Sequence, residues 1–483
     1  MERNLELSIF NKLRVIRTET STGKIIAVIG ILVGLMVLAR FFVAAPQTMF
    51  LAIIGIVLLA ISLLSPNLGL LIWAGFLSIQ IETYSFLGVN IAPSDVILFA
   101  IFLGLTLRFA FRRITVPKTQ TGVWMFGLMI LFTFGVIQTF NRFGYLPKYT
   151  IFNKYIGLLI LIVSFVTVVT IVNTEKRLFQ LIKSLFWTGV TINYLTLGVY
   201  LLFITGVIPT PLQRLVPIIV EGGRLRGFLL DPNAYGGFVF LLLILQLACF
   251  KQSAKDGGYL RQPLAVSILN TFALLAGLFF TFSRSAWLGF AIGVFVLLKS
   301  FRFSFRTLLI CVLGIVLAGW VTSVLPVLNL DPQFFIFRNF TFTQRLNLID
   351  EGWRLFSQSP IFGIGLGTFH EVAPTIIHNS YIWLLVEMGP LALFLLLGIF
   401  FTAVKNCNDV RHQFKNFPSK AISYEQLVIG IYASLFAFYG LALGIEALYQ
   451  RHLWLLIAFS EIIRRLTLNA RPLMPEASSM EPI

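Results

Sequence analysis

Charge is scarce in this sequence. Asp, Glu, Lys and Arg together make up 12% of its 483 residues, where a soluble domain carries about 25%. That shortage excludes an ordinary water-soluble globular fold. Cysteine is scarcer still: Cys249, Cys311 and Cys407 lie in or beside apolar runs or in a segment assigned below to the inner side. No disulfide framework follows. No Cys/His cluster has metal-ligand spacing, so neither a metal nor another cofactor is expected. No internal repeat is present.

What fills the sequence is apolar. Hydrophobic residues reach 58% and the mean hydropathy is +0.89. A bilayer core about 30 Å thick needs roughly 20 apolar residues per helix, and runs of that order recur along the chain. They place spans at 25–40, 48–64, 68–82, 94–108, 122–140, 154–172, 184–206, 234–250, 264–282, 285–298, 307–325, 379–404, 425–444 and 450–463. The expected fold is all-α: a polytopic transmembrane bundle of about 12–14 spans with one long extracytoplasmic helical loop. Residues 1–24 read as a cytoplasmic segment with no small-residue cleavage site after it. Residues 25–325 form a first membrane block, 326–378 the outer loop and 379–465 a second block; 466–483 read as a disordered cytoplasmic tail.

The net charge of +17 suggests nucleic acid until its distribution is traced. With the N-terminus inside and spans alternating, 25 of the 37 Lys and Arg fall in inside segments. That is the orientation bias of membrane helices; it reports topology, and no nucleic-acid partner is expected. The outside cations are then the unusual ones, and nearly all are Arg.

Three outer sites carry candidate chemistry. Arg224-Leu-Arg226 precedes Asp231-Pro232-Asn233, a helix-start signal, and guanidinium forks at such a place suit phosphate oxygens. Arg284 stands at the join of two apolar spans, where a charge marks a functional site by default. His378-Asn379 follows the long loop, which also carries Arg338, Arg345 and Arg354, and opens a span holding Glu387. An imidazole accepts and donates protons near neutral pH. Arg226 and Arg284 are expected to face one outer cavity below His378. Glu446 and Arg451 read as a structural ion pair, and Gly363-Ile-Gly365-Leu-Gly367 as a compact turn packing the loop on the membrane surface.

These residues resemble the O-antigen ligase and polymerase superfamily of bacterial envelope glycosyltransferases. Arg284-Ser-Ala-Trp-Leu288 matches an Arg-x3-Leu motif. His378-Asn379 with Gly389-Pro-Leu-Ala392 matches a His-Asn-x9-Gly motif, with Ala392 where the family more often has Gly, Thr or Val. The stretches Leu225-Arg226…Asp231-Pro-Asn233 and Arg345…Ser359-Pro360…Phe369 are similar to its central region. The resemblance covers roughly 205–465. It implies metal-independent glycan transfer from an undecaprenyl-diphosphate carrier on the outer side of the inner membrane. Arg226, Arg284 and His378 would be catalytic; Arg224, Asn379, Arg345, Asp231 and Asn233 would bind substrate. The acceptor is lipid A–core for a ligase, a second lipid-linked repeat unit for a polymerase, or a protein hydroxyl. Solute transport (inorganic carbon, for example) and a structural subunit of an export complex are the readings from other classes.

Overall fold

The structure, a computed structural model, describes residues 46–80, 85–86, 89–90, 92–111, 114–249, 260, 262–301, 313–314, 332–373, 375–416 and 422–469. The expected span 25–40 lies outside these residues, as do nearly all of 307–325, the first 45 residues and the tail from 470. The chain divides into two units, Met1–Ile61 and Ser62–Ile483. The described part of the first is the body of helix α1 (Pro46–Leu64); all that follows concerns the second.

Helices make up most of the described residues of the second unit. They are α2 (Pro66–Phe76), α3 (Pro93–Ala110), α4 (Gln120–Phe143), α5 (Tyr149–Ile171, opening with a π-helical turn over Tyr149–Ile156) and α6 (Glu175–Ile204). Two one-turn helices follow, α7 (Thr210–Gln213) and α8 (Val216–Ile219), then α9 (Pro232–Cys249), α10 (Leu264–Phe280) and α11 (Arg284–Ser300). The remainder is α12 (Pro332–Phe356), α13 (Thr368–Val372), α14 (Ser380–Asn416), α15 (Ile422–Leu441) and α16 (Arg451–Asn469). Among the described residues the strands form two short antiparallel hairpins, β1 (Ser85–Phe86) with β2 (Val89–Asn90) and β3 (Val220–Glu221) with β4 (Arg224–Leu225). The protein is the all-α polytopic bundle that its composition requires.

Six of the described helices are long and apolar enough to cross a membrane: α3, α4, α5, α6, α9 and residues Ser380–Gln413 of α14. Large apolar side chains stand exposed on their flanks, among them Phe99, Phe126 and Phe394. In water such a surface would aggregate; in lipid it is matched. Helix α9 is instead buried along nearly its whole length and forms the centre. Helix α11 lies along α15 on a face of small residues. A Cβ at Gly289 would sit 2.6 Å from the Ala437 carbonyl, and one at Gly293 would meet Ile244 and Ala437. This small-x3-small spacing lets two membrane helices approach closely, as packing within lipid requires.

The span expected over 379–404 continues to Asn416 and is broken inside. Gly389 has φ 78° and precedes Pro390, which cannot donate to the helical ladder. The break lets Ile364 N–H and Gly365 N–H donate to the Val386 and Glu387 carbonyls, each at 3.0 Å. The glycine run 363–367 is therefore threaded into the bundle against α4 and α14, and does not lie on a membrane surface. A Cβ at Gly389 would collide with the Ile361 carbonyl, and its φ is one that side-chain-bearing residues avoid. Gly389→Ala is expected to destabilise the fold by about 2 kcal/mol or more, read as a fall in melting temperature of the detergent-purified protein.

Candidate functional site

The first site element is the β3–β4 hairpin. Gly222 and Gly223 both have positive φ, 53° and 73°, the requirement of the tight turn that matches strand twist. The turn sets Glu221 opposite Arg224 and Val220 opposite Leu225, and the Tyr200 hydroxyl donates to the Gly223 carbonyl at 2.8 Å. Leu225 is fully buried, which anchors Arg224 beside it. Arg224 Nε donates to the Thr281 carbonyl at 2.9 Å and Nη2 to Asn233 Oδ1 at 3.1 Å. Asp231 Oδ1 accepts the Asn233 and Ala234 N–H groups at 2.7 and 3.1 Å, capping α9.

The second element is the turn between α10 and α11. Phe282 holds φ 47°, an uncommon conformation for a bulky residue and one that collects at functional sites. Ser283 Oγ accepts the Ala286 N–H at 3.2 Å, which starts α11, and donates to Asn233 Oδ1 at 2.8 Å. Arg284 is the first residue of α11 and is exposed. Among the described residues its guanidinium makes no hydrogen bond or ion pair.

The third element joins α12 to α14. Arg345, half-buried on α12, donates to the Gly444 carbonyl at 3.3 Å. His378 precedes α14, half-buried, and its ring makes no hydrogen bond among the described residues. Asn379 caps α14: Oδ1 accepts the Tyr381 and Ile382 N–H groups, both at 3.0 Å, and Nδ2 donates to the Leu443 carbonyl at 3.0 Å.

Electrostatics ties these elements into one cluster. Burial lowers the pKa of Arg224 to about 10; Asp231 opposes the shift, Arg345 and Arg284 add to it, and Glu221 opposes it. Burial also lowers Arg345, with Arg284 next and Asp231 opposing. Burial brings His378 down to about 4, helped by Arg345 and opposed by Asp231. At neutral pH Arg224 is therefore still protonated and His378 is neutral. The charges of Arg284 and Arg345 act on Arg224, that of Arg284 on Arg345 and that of Arg345 on His378, with Asp231 and the more exposed Glu221 as the opposing acids. Uncompensated cations at partly buried positions call for an anion.

Arg226 is held by its own loop. Its Nε and Nη2 donate to the Ile218 and Pro217 carbonyls, each at 2.9 Å; Nη1 reaches the Leu230 carbonyl at 3.4 Å and Glu221 at 3.9 Å. It braces the loop 217–230, whereas Arg224 bonds to the α10–α11 turn at Thr281 and to Asn233. Asp231, Asn233 and Asn379 hold the cluster through the caps and bonds above. The side chain of Arg338 lies outside the described residues, and Arg354 forms an exposed i,i+3 pair with Glu351.

The expected Glu446–Arg451 pair is also replaced. Arg451 grips Asp95 across the bundle with bonds of 2.6, 2.8 and 3.0 Å. Glu446 pairs with the buried side chain of Lys154, a residue the sequence analysis does not single out. The Lys154 ammonium lies 4.2 Å from the ring centre of Trp383, 4.9 Å from that of Tyr449 and 5.2 Å from that of Tyr149. Glu387, fully buried, accepts the Gly367 N–H at 2.7 Å and the Phe369 N–H at 3.2 Å. The sequence signal for Lys154 was a lone cation inside an apolar span, which by default is functional.

Among the described residues no group of three or more His, Cys, Asp or Glu is placed to hold a metal ion. The comparison with curated proteins gave no match. A family model described as O-antigen ligase matches residues 269–397, a stretch that includes Arg284, Arg345, His378 and the Gly389 break. The match supports a ligase- or polymerase-type role in general, and the six apolar helices a place in a membrane. Through that stretch, set in an all-α membrane bundle, the chain is similar to the O-antigen ligase superfamily.

Proposed function

We propose that the protein transfers a glycan from an undecaprenyl-diphosphate carrier to an acceptor hydroxyl at the outward-facing end of the bundle, in a bacterial inner membrane with its site toward the periplasm. The observation that carries this reading is the cluster of Arg224, Arg284 and Arg345, with few acids to neutralise it, beside a neutral His378.

The steps follow from charge. The diphosphate settles against guanidinium groups whose remaining N–H donors make no hydrogen bond among the described residues, a fork geometry suited to its oxygens. The acceptor hydroxyl attacks the anomeric carbon, a new C–O bond forms, and the old bond to the diphosphate breaks. The leaving lipid diphosphate departs with the bonding electrons. Its growing negative charge is stabilised by the three arginines. The acceptor proton passes to His378, which is neutral at working pH and therefore able to take it.

The acceptor separates a ligase, using lipid A–core, from a polymerase, using a second lipid-linked repeat unit. Purified protein in nanodiscs, given lipid-diphosphate-linked glycan and each acceptor in turn, is expected to release undecaprenyl diphosphate with one of them. No release with any acceptor, together with saturable solute uptake by proteoliposomes, would favour transport and overturn this reading.

A further inference from the structure

The connection between α15 and α16, residues 442–449, touches three of the segments that carry the proposed site. The Ser380 N–H donates to the Ala442 carbonyl at 2.9 Å. Asn379, next to His378, donates to Leu443 at 3.0 Å, and Arg345 donates to Gly444 at 3.3 Å. Gly444 packs so closely on Ser285, next to Arg284, that a Cβ there would collide with its side chain. Ser380 Oγ donates to the Ile445 carbonyl at 2.9 Å and accepts the Ala447 N–H at 2.7 Å. One strap of backbone thus bonds to Arg345, to the neighbour of His378, and packs on the neighbour of Arg284.

The strap is moored by one charged group. Glu446, in its middle, pairs with Lys154 of α5, and the Tyr449 hydroxyl donates to the Lys154 carbonyl at 3.0 Å. Lys154 is 1% exposed and enclosed by the rings of Trp383, Tyr449 and Tyr149. A buried ion pair adds little net stability, because desolvating the charges offsets their attraction, and apolar side chains of similar size often serve as well. What such a pair does supply is a fixed position. Here the fixed object is the strap, and the strap fixes the site.

We propose that Lys154 and Glu446 are positioning residues for the transfer reaction: their ion pair holds the 442–449 strap, which sets Arg345, His378 and Arg284 in register with one another. The assignment rests on the transferase reading above. Neither residue touches substrate; each acts through the strap. A displacement of about 1 Å among reacting groups can cost on the order of 10²-fold in rate, so a slack strap lowers turnover even when donor still binds.

The test uses the double variant Lys154→Met/Glu446→Gln, which removes both charges and leaves no unpaired charge. Two readouts are taken on full-length protein in nanodiscs. The first is turnover per binding site, with sites counted by stoichiometric binding of labelled undecaprenyl diphosphate; at least about a tenfold fall in kcat at saturating donor is expected. A merely structural role lowers the number of sites and leaves turnover per site unchanged. The second is hydrogen exchange. Peptides covering 377–383 and 442–449 are expected to exchange faster, with the α9 core unchanged. Native exchange in both peptides overturns the proposal whether or not the wild type transfers glycan; so does unchanged turnover per site. A wild type that transfers nothing while the exchange result holds counts against the transferase reading alone. Where the double variant fails to fold, Ser380→Ala cuts the same strap without altering any charge, and the same two signatures are expected or the proposal fails.

Discussion

Arg284→Ala is expected to lower glycan transfer by about 10²–10³-fold, the usual cost of removing one preorganised group that stabilises developing charge. The reason lies in its surroundings. Arg284 starts α11 on a turn held by Ser283 and Asn233, and among the described residues its guanidinium bonds to nothing in the protein. It is free to meet a diphosphate. Arg284→Lys keeps the charge but loses the planar fork, so it should recover only part of the activity. Arg226→Ala gives the contrast. Its guanidinium braces the 217–230 loop, so the effect should fall on loop order and melting temperature more than on turnover per folded molecule. Steady-state release of lipid diphosphate by the three variants, normalised to the folded fraction, decides the matter. Near-normal turnover for Arg284→Ala would remove it from the anion site.

His378→Ala is expected to lose about 10²–10⁴-fold in turnover, the range for general acid–base assistance, while donor binding persists. His378→Asn separates proton transfer from packing, because an amide can hydrogen-bond but takes no proton at neutral pH; near-normal turnover there would leave His378 an orienting role only. The pH profile adds a signed test. In the free protein His378 titrates near 4, held down by burial and by Arg345 while Asp231 pulls upward. The active neutral form is lost as pH falls through that value, so the acid limb of kcat/KM should lie well below pH 6.5. A bound diphosphate offsets the charge of Arg345 and adds negative charge of its own. The acid limb of kcat, which reports the donor-bound protein, should therefore move upward. An acid limb that stays fixed, or that survives in His378→Asn, would rule out the general-base role.

The same residues show how far the sequence could be read. Arg284 and His378 were legible because each interrupts an apolar pattern: a charge at a span join, and an imidazole where a long loop meets a span. The motif His378-Asn379-x9-Gly389 was legible as a spacing, and its physical content appears only in the fold. Asn379 caps α14 and Gly389 breaks it, and the break opens the groove that receives the glycine run. The Gly222-Gly223 pair is a hairpin signal, though it does not say which of the flanking arginines faces the site.

Other features had no local signature. Arg224 and Arg226 are two residues apart and chemically identical in the sequence. One is beside Arg284 because Thr281 and Asn233 bring acceptors to it; the other is occupied by carbonyls of its own loop. Glu446 has Arg451 five residues away, yet its partner is Lys154, 292 residues distant, while Arg451 reaches Asp95, 356 residues distant. Composition by itself determined an all-α membrane bundle, and the Lys/Arg bias supplied an expected orientation, because hydropathy and flanking charge act segment by segment through a solvent that is the same for every helix. Which guanidinium is free, which carboxylate meets which ammonium, and where the strap lies were decided by tertiary structure alone, because they depend on which segments the packing of α11 on α15 and α14 on α4 brings within hydrogen-bond distance.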